Sequence, residues 1–286
     1  MSDLEVRARL ATRADRLGQP RRLGVAESVA GMLALLLLVS ALAPQLLAPG
    51  DPLGIDPLSA FEPPNLAHGF GTDESGRDIY TRVVHGTQSS LLIGAAATAI
   101  GLGLGIVLGT LAGMLGRVVD FTVNRFLEVL FAFPGLLLAL LFIVIFGPGV
   151  ATATIAVGLS TAPGYARIIR AQLISVRSTA FVEAATVLGR TRWQILRRHI
   201  LPNTLAPLFV LATLGIGQAI VWAATLSYLG LGAEPPTAEW GAMLSAGRTY
   251  ITSAWWMSFF PGLFIVLTAV TATVLGRGID RRMRHL

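Results

Sequence analysis

The chain has 286 residues, of which 53% are hydrophobic and only 13% are charged. Soluble domains carry about 25% charged residues, so this composition indicates a membrane protein. All 22 basic residues are arginine, and the sequence contains neither lysine nor cysteine. A Walker A loop and a Schiff-base enzyme both need a lysine, so the composition excludes a P-loop ATPase and an enzyme of that kind. The lack of cysteine excludes disulfides, thiolate nucleophiles and cysteine metal sites.

Long runs without Asp, Glu, Lys or Arg define the membrane segments. A spanning helix needs about 20 apolar residues. The run 129–166 is long enough for most of two spans, and Gly147-Pro148-Gly149 divides it as a hairpin turn would. The sequence therefore predicts an all-α integral membrane protein, a six-span helical bundle with spans near 26–48, 88–115, 119–146, 150–174, 203–231 and 256–278.

The arginines set the orientation of the predicted bundle. If the N-terminus lies in the cytoplasm, the outer segments hold only Arg77, Arg82 and Arg248, and every other arginine is cytoplasmic. The positive-inside rule favours this topology, with both termini in the cytoplasm. It also accounts for the net charge of +6 without a nucleic-acid partner.

The predicted organisation follows from these spans. The first span is too long for a cleavable signal, so we expect it to be retained. The predicted segments are a cytoplasmic Arg-rich segment 1–24, a first transmembrane helix 25–48, an extracytoplasmic loop 49–87, a five-span core 88–280 with a cytoplasmic loop 175–203, and a cytoplasmic tail 281–286.

The outer loop ends in the string GTDESGRDIYTRVVHGTQSSL, which begins at Gly71. Asp73 or Ser75 is expected to cap a short helix, and Asp78 and Arg82 have the i,i+4 spacing of an ion pair. This interpretation gives the segment a structural role, as an ordered entry into the second span. A calcium site formed by the acidic side chains of this string is an alternative, although the EF-hand pattern is absent.

Small residues recur every four positions in the second span, at Ala97, Gly101, Gly105, Gly109 and Gly113. This stripe predicts that another helix approaches closely along one face. The overlapping GLGLG string does not indicate a dinucleotide site, because no strand precedes it and no βαβ unit surrounds it.

The third span begins with three charged side chains, Asp120, Arg125 and Glu128. Arg125 and Glu128 are three residues apart, so we expect a structural ion pair between them near the membrane surface. Pro134 predicts a kink within this span.

The loop between the fourth and fifth spans reads SVRSTAFVEAATVLGRTRWQILRRHILPN. Ser178 or Thr179 can cap a first short helix, and Gly189 suits the end of that helix. A helix–Gly–helix hairpin between two spans can receive a push from a soluble partner. A passive amphipathic loop on the membrane surface is the alternative.

The second helix of this loop begins with Thr191 and Gln194, which have capping-box spacing. Pro202 is expected to end it. Its periodicity predicts one apolar face formed by Trp193, Leu196 and Ile200.

The fifth predicted span carries Gln218, Trp222 and Thr225. Polar groups that face the interior of a bundle either join helices or line a path. Gln218 and Trp222 are four residues apart and can share one helix face, so these three residues are candidates for a translocation path. Ordinary packing between helices is an alternative of equal weight.

The sequence predicts no catalytic residue and no metal site. Its histidines are scattered and have no metal-binding spacing. Neither a Ser/His/Asp arrangement nor a pair of catalytic carboxylates stands out. A non-enzymatic function is therefore expected.

Two blocks of the sequence resemble the permeases of binding-protein-dependent ABC importers. Glu183-Ala184-Ala185, then three residues, then Gly189, with Leu201-Pro202 at the end, match the EAA loop of that family. The usual loop has Ile where this chain has His199. The strings RRHILPN, GTDESGRD and PPTAEW are similar to the oligopeptide/dipeptide (peptide/nickel) branch and its C-type transmembrane subunit. The tail after Gly276 departs from the GDG-L-R-D pattern of that branch.

This resemblance implies a type I ABC importer permease fold of the MetI-like kind. It also implies a second homologous permease subunit in a heterodimer, two ABC ATPase subunits that bind ATP and Mg, and an extracytoplasmic solute-binding protein. No cofactor is implied in this chain. The residues that the resemblance assigns to the ATPase-coupling loop are Glu183, Ala184, Ala185, Gly189, Arg190, Arg192, Arg197, Arg198, His199, Leu201 and Pro202. Those of the outer-loop motif are Gly71, Thr72, Asp73, Gly76, Arg77, Asp78 and Arg82.

The predicted function is ATP-driven import of di- or oligopeptides across a bacterial or archaeal cell membrane. Importers of nickel, opines or glutathione from the same branch are alternatives. An ion-coupled secondary transporter is the alternative from another class. That class usually needs ionisable residues near the bilayer midplane or inverted repeats, and this sequence offers neither.

Overall fold

The structure is a computed structural model that describes residues 24–283, and residues 1–23 and 284–286 of the predicted cytoplasmic ends lie outside this range. Regular structure in the described range is helical, apart from one isolated β-bridge between Thr72 and Asp78. The helices of the first half are α1 Val25–Leu42, α2 Ile79–Met114, α3 Arg117–Phe131 and α4 Gly135–Phe146. Those of the second half are α5 Val150–Arg177, α6 Ala180–Val187, α7 Arg192–Ile195, α8 Leu201–Tyr228, α9 Trp240–Gly247 and α10 Trp256–Met283.

Within the described range, four helices are long and apolar enough to cross a membrane: α1, α2, α8 from Pro207 onward, and α10. The third predicted span is two helices, α3 and α4, which meet at an angle of 89°. The expected kink at Pro134 is thus a complete break, because Pro134 itself takes an extended ψ of 132° before α4 begins. α5, predicted as the fourth span, has 28 residues but is diluted by Thr, Ser, Gly and Pro163. Neighbouring helices cover it, so it needs less lipid-facing apolar surface.

α2 begins at Ile79 rather than at residue 88, so the outer loop ends at Asp78 and not at residue 87. Asp78 caps the helix, because its Oδ2 atom accepts hydrogen bonds from Thr81 N at 2.8 Å and from Thr81 Oγ1 at 2.7 Å. The first turns of α2 are polar, and an apolar window cannot reveal them. α1 ends at Leu42 and not at the predicted residue 48, because Pro44 starts a 3₁₀ turn soon after it.

The predicted small-residue stripe is confirmed as the contact face of α2 with α5. A Cβ atom added at Gly105 would lie 2.5 Å from Tyr165 Cβ and 3.0 Å from Ala166 N. A Cβ at Gly109 would lie 2.7 Å from Ala166 O. Glycine at these positions therefore allows the two backbones to approach closely.

The side chains of the bundle form three buried clusters. One contains Trp240, Met243 and Trp256, near α9 and the start of α10. A second lies between α2, α4, α5 and α8 and is built mostly from alanines. The third joins the end of α5 to α6 and α7.

Contacts at the two ends of the bundle show how its helices alternate. At one end, Glu27 at the start of α1 pairs with Arg281 and Arg282 at the end of α10, at 3.2 Å and 3.3 Å. At the other end, Gly149 N in the α4–α5 turn donates to Leu231 O just after α8. The helices therefore run up and down between two opposite faces.

Candidate functional site

The loop predicted to couple to a partner forms a helical hairpin built from α6 and α7. Thr179 is the residue before α6, as predicted, but its hydroxyl donates to Val176 O at 2.6 Å and leaves the helix uncapped by a side chain. At the other end, Gly189 has φ +75°. Its N–H donates a hydrogen bond to Thr186 O, and the N–H of Arg190 donates one to Ala185 O. Gly189 therefore ends α6 in the left-handed conformation that glycine adopts without steric cost.

The second arm of the hairpin begins with the predicted capping box. Thr191 N donates to Gln194 Oε1 at 3.1 Å, and Gln194 N donates to Thr191 Oγ1 at 3.3 Å. These reciprocal bonds satisfy two N–H groups that the first turn of a helix leaves free.

The prediction that Pro202 ends this arm is wrong. α7 passes through a π-helical segment, Leu196–Ile200, directly into α8. Leu201 N donates to Leu196 O, five residues back. Pro202 has no N–H to donate, and the wider π turn before it relieves the clash that a proline makes with the preceding turn. The second arm is therefore helically continuous with α8.

The π segment also changes which side chains are buried. Ile195 and Ile200, five residues apart, are buried with Val182 and Ala185. Trp193, which was predicted to share the apolar face, is 66% exposed. Ile200 is buried as predicted and Leu196 is half-buried against the same cluster. The 3.6-residue periodicity misplaces Trp193 and misses Ile195, because a π turn advances five residues between hydrogen-bonded partners.

The outward surface of the hairpin combines an apolar tip with charged flanks. Val187 and Leu188 are 88% and 77% exposed at the tip, next to Gly189. Glu183, Ala184, Gly189, Arg190, Arg197, Arg198 and Pro202 are exposed, Leu201 is half-buried, and Arg192 begins α7. Ala185 is buried and packs inside the hairpin, so of the two alanines only Ala184 is free to meet a partner. Exposed apolar residues clustered outside the bundle are typical of a protein interaction site.

His199, the position where this chain differs from the usual loop, is half-buried beside Phe181, with ring centroids 6.3 Å apart. Its Nε2 atom is buried and has no hydrogen-bond partner among the described residues. His199 therefore faces the interior of the hairpin, unlike the neighbouring arginines.

A cavity of about 270 Å³ lies between α3, α4, α5 and α8. Of the three candidates for a translocation path, Gln218 and Trp222 line this cavity and Thr225 does not. The Thr225 hydroxyl donates to Val221 O of its own helix at 2.7 Å. A Cβ added at Gly135 would lie 2.2 Å from the Trp222 ring, so the indole packs directly on the start of α4.

Sequence reasoning missed most of the cavity wall. The remaining lining is aromatic, aliphatic or neutral and polar, with no ionisable acid or base apart from a tyrosine. The residues from α3, the linker after it and α5 that complete the wall include Phe131, Phe133, Ser160, Thr161 and Tyr165. The signal that could have found them is the polar composition of α5 inside a run without charges.

The outer-loop motif builds a compact turn and not the short helix expected at Asp73 or Ser75. Asp73 Oδ1 accepts hydrogen bonds from Ser75 N and Arg77 N at 2.9 Å and 3.0 Å. Gly71 and Gly76 both have φ +75°, and a Cβ at Gly76 would overlap the backbone of the preceding loop. Thr72 is fully buried and its Oγ1 donates to the carbonyl of Ser59.

The ion pair expected between Asp78 and Arg82 does not form. Asp78 is occupied as the cap of α2 and lies 3.1 Å from His68 Nδ1. Arg82 instead lies 3.7 Å from Asp73 and donates to Pro52 O at 3.0 Å and Pro236 O at 3.1 Å. Arg82 therefore ties the outer loop to the segment before α9.

The carboxylates of Asp73 and Glu74 both face Arg77. Arg77 Nε lies 2.6 Å from Asp73 and Arg77 Nη2 lies 2.7 Å from Glu74. No group of three His, Cys, Asp or Glu side chains suited to a metal occurs within residues 24–283. The calcium alternative therefore gains no support.

A helical membrane bundle that exposes a hairpin at one face and holds a cavity between its helices is the arrangement of a transporter's membrane subunit. A family model described as binding-protein-dependent transport system inner membrane component matches residues 105–285. The chain belongs to this family. It is a multi-pass cell-membrane protein and a transport component rather than an enzyme.

Its curated relatives are bacterial permeases. The probable D,D-dipeptide transport system permease protein DdpC of Escherichia coli K12 is 42% identical over 248 residues, which are 87% of this chain and 83% of the relative. The dipeptide transport system permease protein DppC of Alkalihalophilus pseudofirmus is 42% identical, covering 78% and 74%. The glutathione transport system permease protein GsiD of Escherichia coli O6:K15:H31 is 41% identical, covering 87% and 83%.

Solved structures share the fold. A chain of the MetNI methionine ABC transporter superposes with a TM-score of 0.59 at 21% identity, covering 71% of this chain and 97% of that one. A chain of an amino acid ABC transporter gives 0.53 at 20% identity, covering 72% and 95%. The predicted all-helical fold of a type I ABC importer permease is confirmed.

Proposed function

We propose that this chain is the permease subunit of an ATP-driven importer that carries di- or oligopeptides delivered by a solute-binding protein. Relatives named for dipeptide, peptide and glutathione transport support the substrate class. The cavity supports it as well, because aromatic and neutral polar side chains can contact a peptide backbone without fixing the charge of its side chains.

The observation that carries the mechanism is the continuity between the hairpin and α8. α7 leads without a break into α8, which bears Gln218 and Trp222 on the cavity wall. A displacement of the hairpin therefore moves the cavity wall with it. The exposed tip at Val187 and Leu188, with Glu183 and the arginines beside it, is the surface on which an ATPase would seat.

The subunits that complete the transporter follow from this role. Two ABC ATPases would bind ATP and Mg, so this chain would hold no cofactor of its own. A second, homologous permease would form a heterodimer and close the cavity, where Gln218 is exposed at the rim.

The proposed topology has six spans with both termini in the cytoplasm. α3 and α4 together count as the third span and α5 as the fourth. Pairing of Glu27 with Arg281 and Arg282 supports a common side for the two ends of the chain. The arginine distribution supports the cytoplasm as that side.

Reconstitution tests the function. The chain, its partner permease and the ATPases are placed in liposomes with the binding protein outside and ATP inside. Uptake of a radiolabelled dipeptide that requires both ATP and the binding protein is the expected result. Competition by glutathione or nickel ions ranks the substrate alternatives. Uptake that does not depend on ATP and requires an ion gradient would instead identify a secondary transporter.

A further inference from the structure

Helix α3 is attached to the bundle by unusually few contacts. Of its 15 residues, all of which the structure describes, only Leu127 is buried. The first polar attachment is a two-pronged ion pair: Arg170 Nε donates to Asp120 Oδ1 at 2.5 Å and Arg170 Nη2 donates to Asp120 Oδ2 at 2.6 Å. Asn124 donates to the same carboxylate at 2.6 Å and holds it in place. Two parallel, charge-assisted hydrogen bonds are strong and directional.

The second attachment uses another arginine of the same α5 turn. The Arg167 guanidinium lies over the Phe131 ring, 4.1 Å from its centroid. Asp120 and Phe131 are about 16 Å apart along α3, whereas Arg167 and Arg170 are only about 4.5 Å apart along α5. One turn of α5 therefore contacts both the first and the last turn of α3.

A candidate hinge lies at each end of α3. Gly116, just before α3, has φ +95°, and a Cβ added there would meet nothing within 4 Å. After α3, the chain breaks at Pro134 into α4 at 89°. A helix with a joint at each end and one buried side chain can swing without unpacking a core.

The position of α3 connects the hairpin with the cavity. Its last turn and the linker after it supply Leu130, Phe131 and Phe133 to the cavity wall. On α5, Ile169 and Leu173 flank Arg170 and are buried in the cluster that contains the hairpin residues Val182 and Ala185. The turn of α5 that holds α3 is thus the turn that packs against the hairpin.

We propose that α3 is a hinged gate of the cavity, and that the Asp120–Arg170 ion pair is the latch through which the hairpin sets the position of this gate. When the hairpin moves, Ile169 and Leu173 turn the end of α5, the latch geometry changes, and α3 carries Phe131 and Phe133 into or away from the cavity. Asp120 and Arg170 act as positioning residues. This gate rests on the proposed function, since a transport cavity is what it would open.

The test separates the latch from general stability. Because the chain has no cysteine, spin labels can be placed specifically at Val118→Cys on α3 and Ile279→Cys on α10, both of which are exposed. Distances between the labels are measured in the assembled transporter with and without ATP and vanadate, alongside ATP hydrolysis and peptide uptake. The variants are Asp120→Arg, Arg170→Asp and the double exchange of both.

Each single exchange is expected to change the label distance in the absence of nucleotide and to lower uptake per ATP hydrolysed by about tenfold or more. The double exchange should restore both values, and ATP hydrolysis by each single variant in the assembled transporter shows that the single variants fold. Glu128→Gln, which breaks the exposed Arg125–Glu128 pair on the same helix, is the matched control and should change neither. The proposal is overturned if the single exchanges keep the original distance and coupling, or if the double exchange folds without restoring them. Wild-type uptake in the same liposomes tests the proposed function separately.

Discussion

Several glycines of this protein matter because they lack a Cβ atom. Glycines along α2 remove the Cβ atoms that would hold α5 away, and Gly189 lets the chain reverse at φ +75° between the two arms of the hairpin. Two arginines act in another way, because each joins groups that are far apart in sequence. Arg82 connects Pro52 with Pro236, and Arg170 connects α5 with Asp120.

Gly189→Arg should leave the protein inserted and abolish uptake. A Cβ at this position meets nothing within 4 Å, so the change leaves the fold room, but the side chain would stand on the proposed docking surface beside Val187 and Leu188. The left-handed conformation costs a non-glycine residue about 1–2 kcal/mol. Gly189→Asn is the control, because Asn tolerates this conformation and is small. Membrane levels and dipeptide uptake are measured for both; normal uptake by the arginine variant would refute the docking role.

Gly105→Ala should destabilise the α2–α5 contact by about 1–3 kcal/mol, the usual cost of overpacking. The added methyl group would lie 2.5 Å from Tyr165 Cβ. Gly103→Ala, two residues away where a Cβ meets nothing within 4 Å, is the matched control and should be neutral. Thermal unfolding in detergent measures the difference, and equal melting of the two variants would contradict the tight helix contact.

At the scale of elements, breaks and continuities in the helices differ from what periodicity predicts. α3 and α4 are separated by 89° although the sequence predicts a single span over their residues. α7 and α8 are joined although Pro202 lies between them. Both differences bear on the proposed mechanism. The break leaves α3 as a separate helix that can swing, and the continuity makes one helix that reaches from the hairpin to the cavity.

Gln218→Ala should lower peptide uptake by about tenfold, whereas Thr225→Ala should leave it unchanged. Gln218 lines the cavity, and Thr225 bonds only to its own helix. Both residues lie on α8 and both changes remove a polar group, so general effects on the helix are matched. Initial uptake rates at equal membrane levels decide the question, and equal losses in both variants would assign Gln218 to packing instead of the path.

Arg82→Gln should loosen the outer face by about 1–3 kcal/mol, because it leaves Asp73 without one of its cations and frees two carbonyl groups. Arg125→Gln, at an exposed pair, is the control with little expected effect. Limited proteolysis of the outer loop in right-side-out vesicles reports the change. An unaltered cleavage rate in the Arg82 variant would show that the two carbonyl bonds do not hold the loop.

At the scale of the whole molecule, the sequence was sufficient for the class of fold and for the motifs whose physics is local. The glycine stripe, the capping box of Thr191 and Gln194 and the Arg125–Glu128 pair depend on spacing alone, and all three form as predicted. Long-range partners were missed. Nothing in local spacing indicates that Arg82 meets Asp73 or that Arg170 meets Asp120, because the first pair depends on how the outer loop folds back onto α2 and the second on how α3 meets α5. Ile195 is buried in place of Trp193 because of the π segment Leu196–Ile200, which no short sequence pattern predicts.

The central claim is that this chain works as one membrane subunit of an ATP-driven assembly, and purification of that assembly tests it most directly. The chain, tagged at its C-terminus, is isolated from native membranes in mild detergent, and the proteins that accompany it are identified by mass spectrometry. Recovery of a second six-span permease together with P-loop ATPases is the predicted result. Recovery of the chain alone, in a form that transports in liposomes without ATP, would contradict the account.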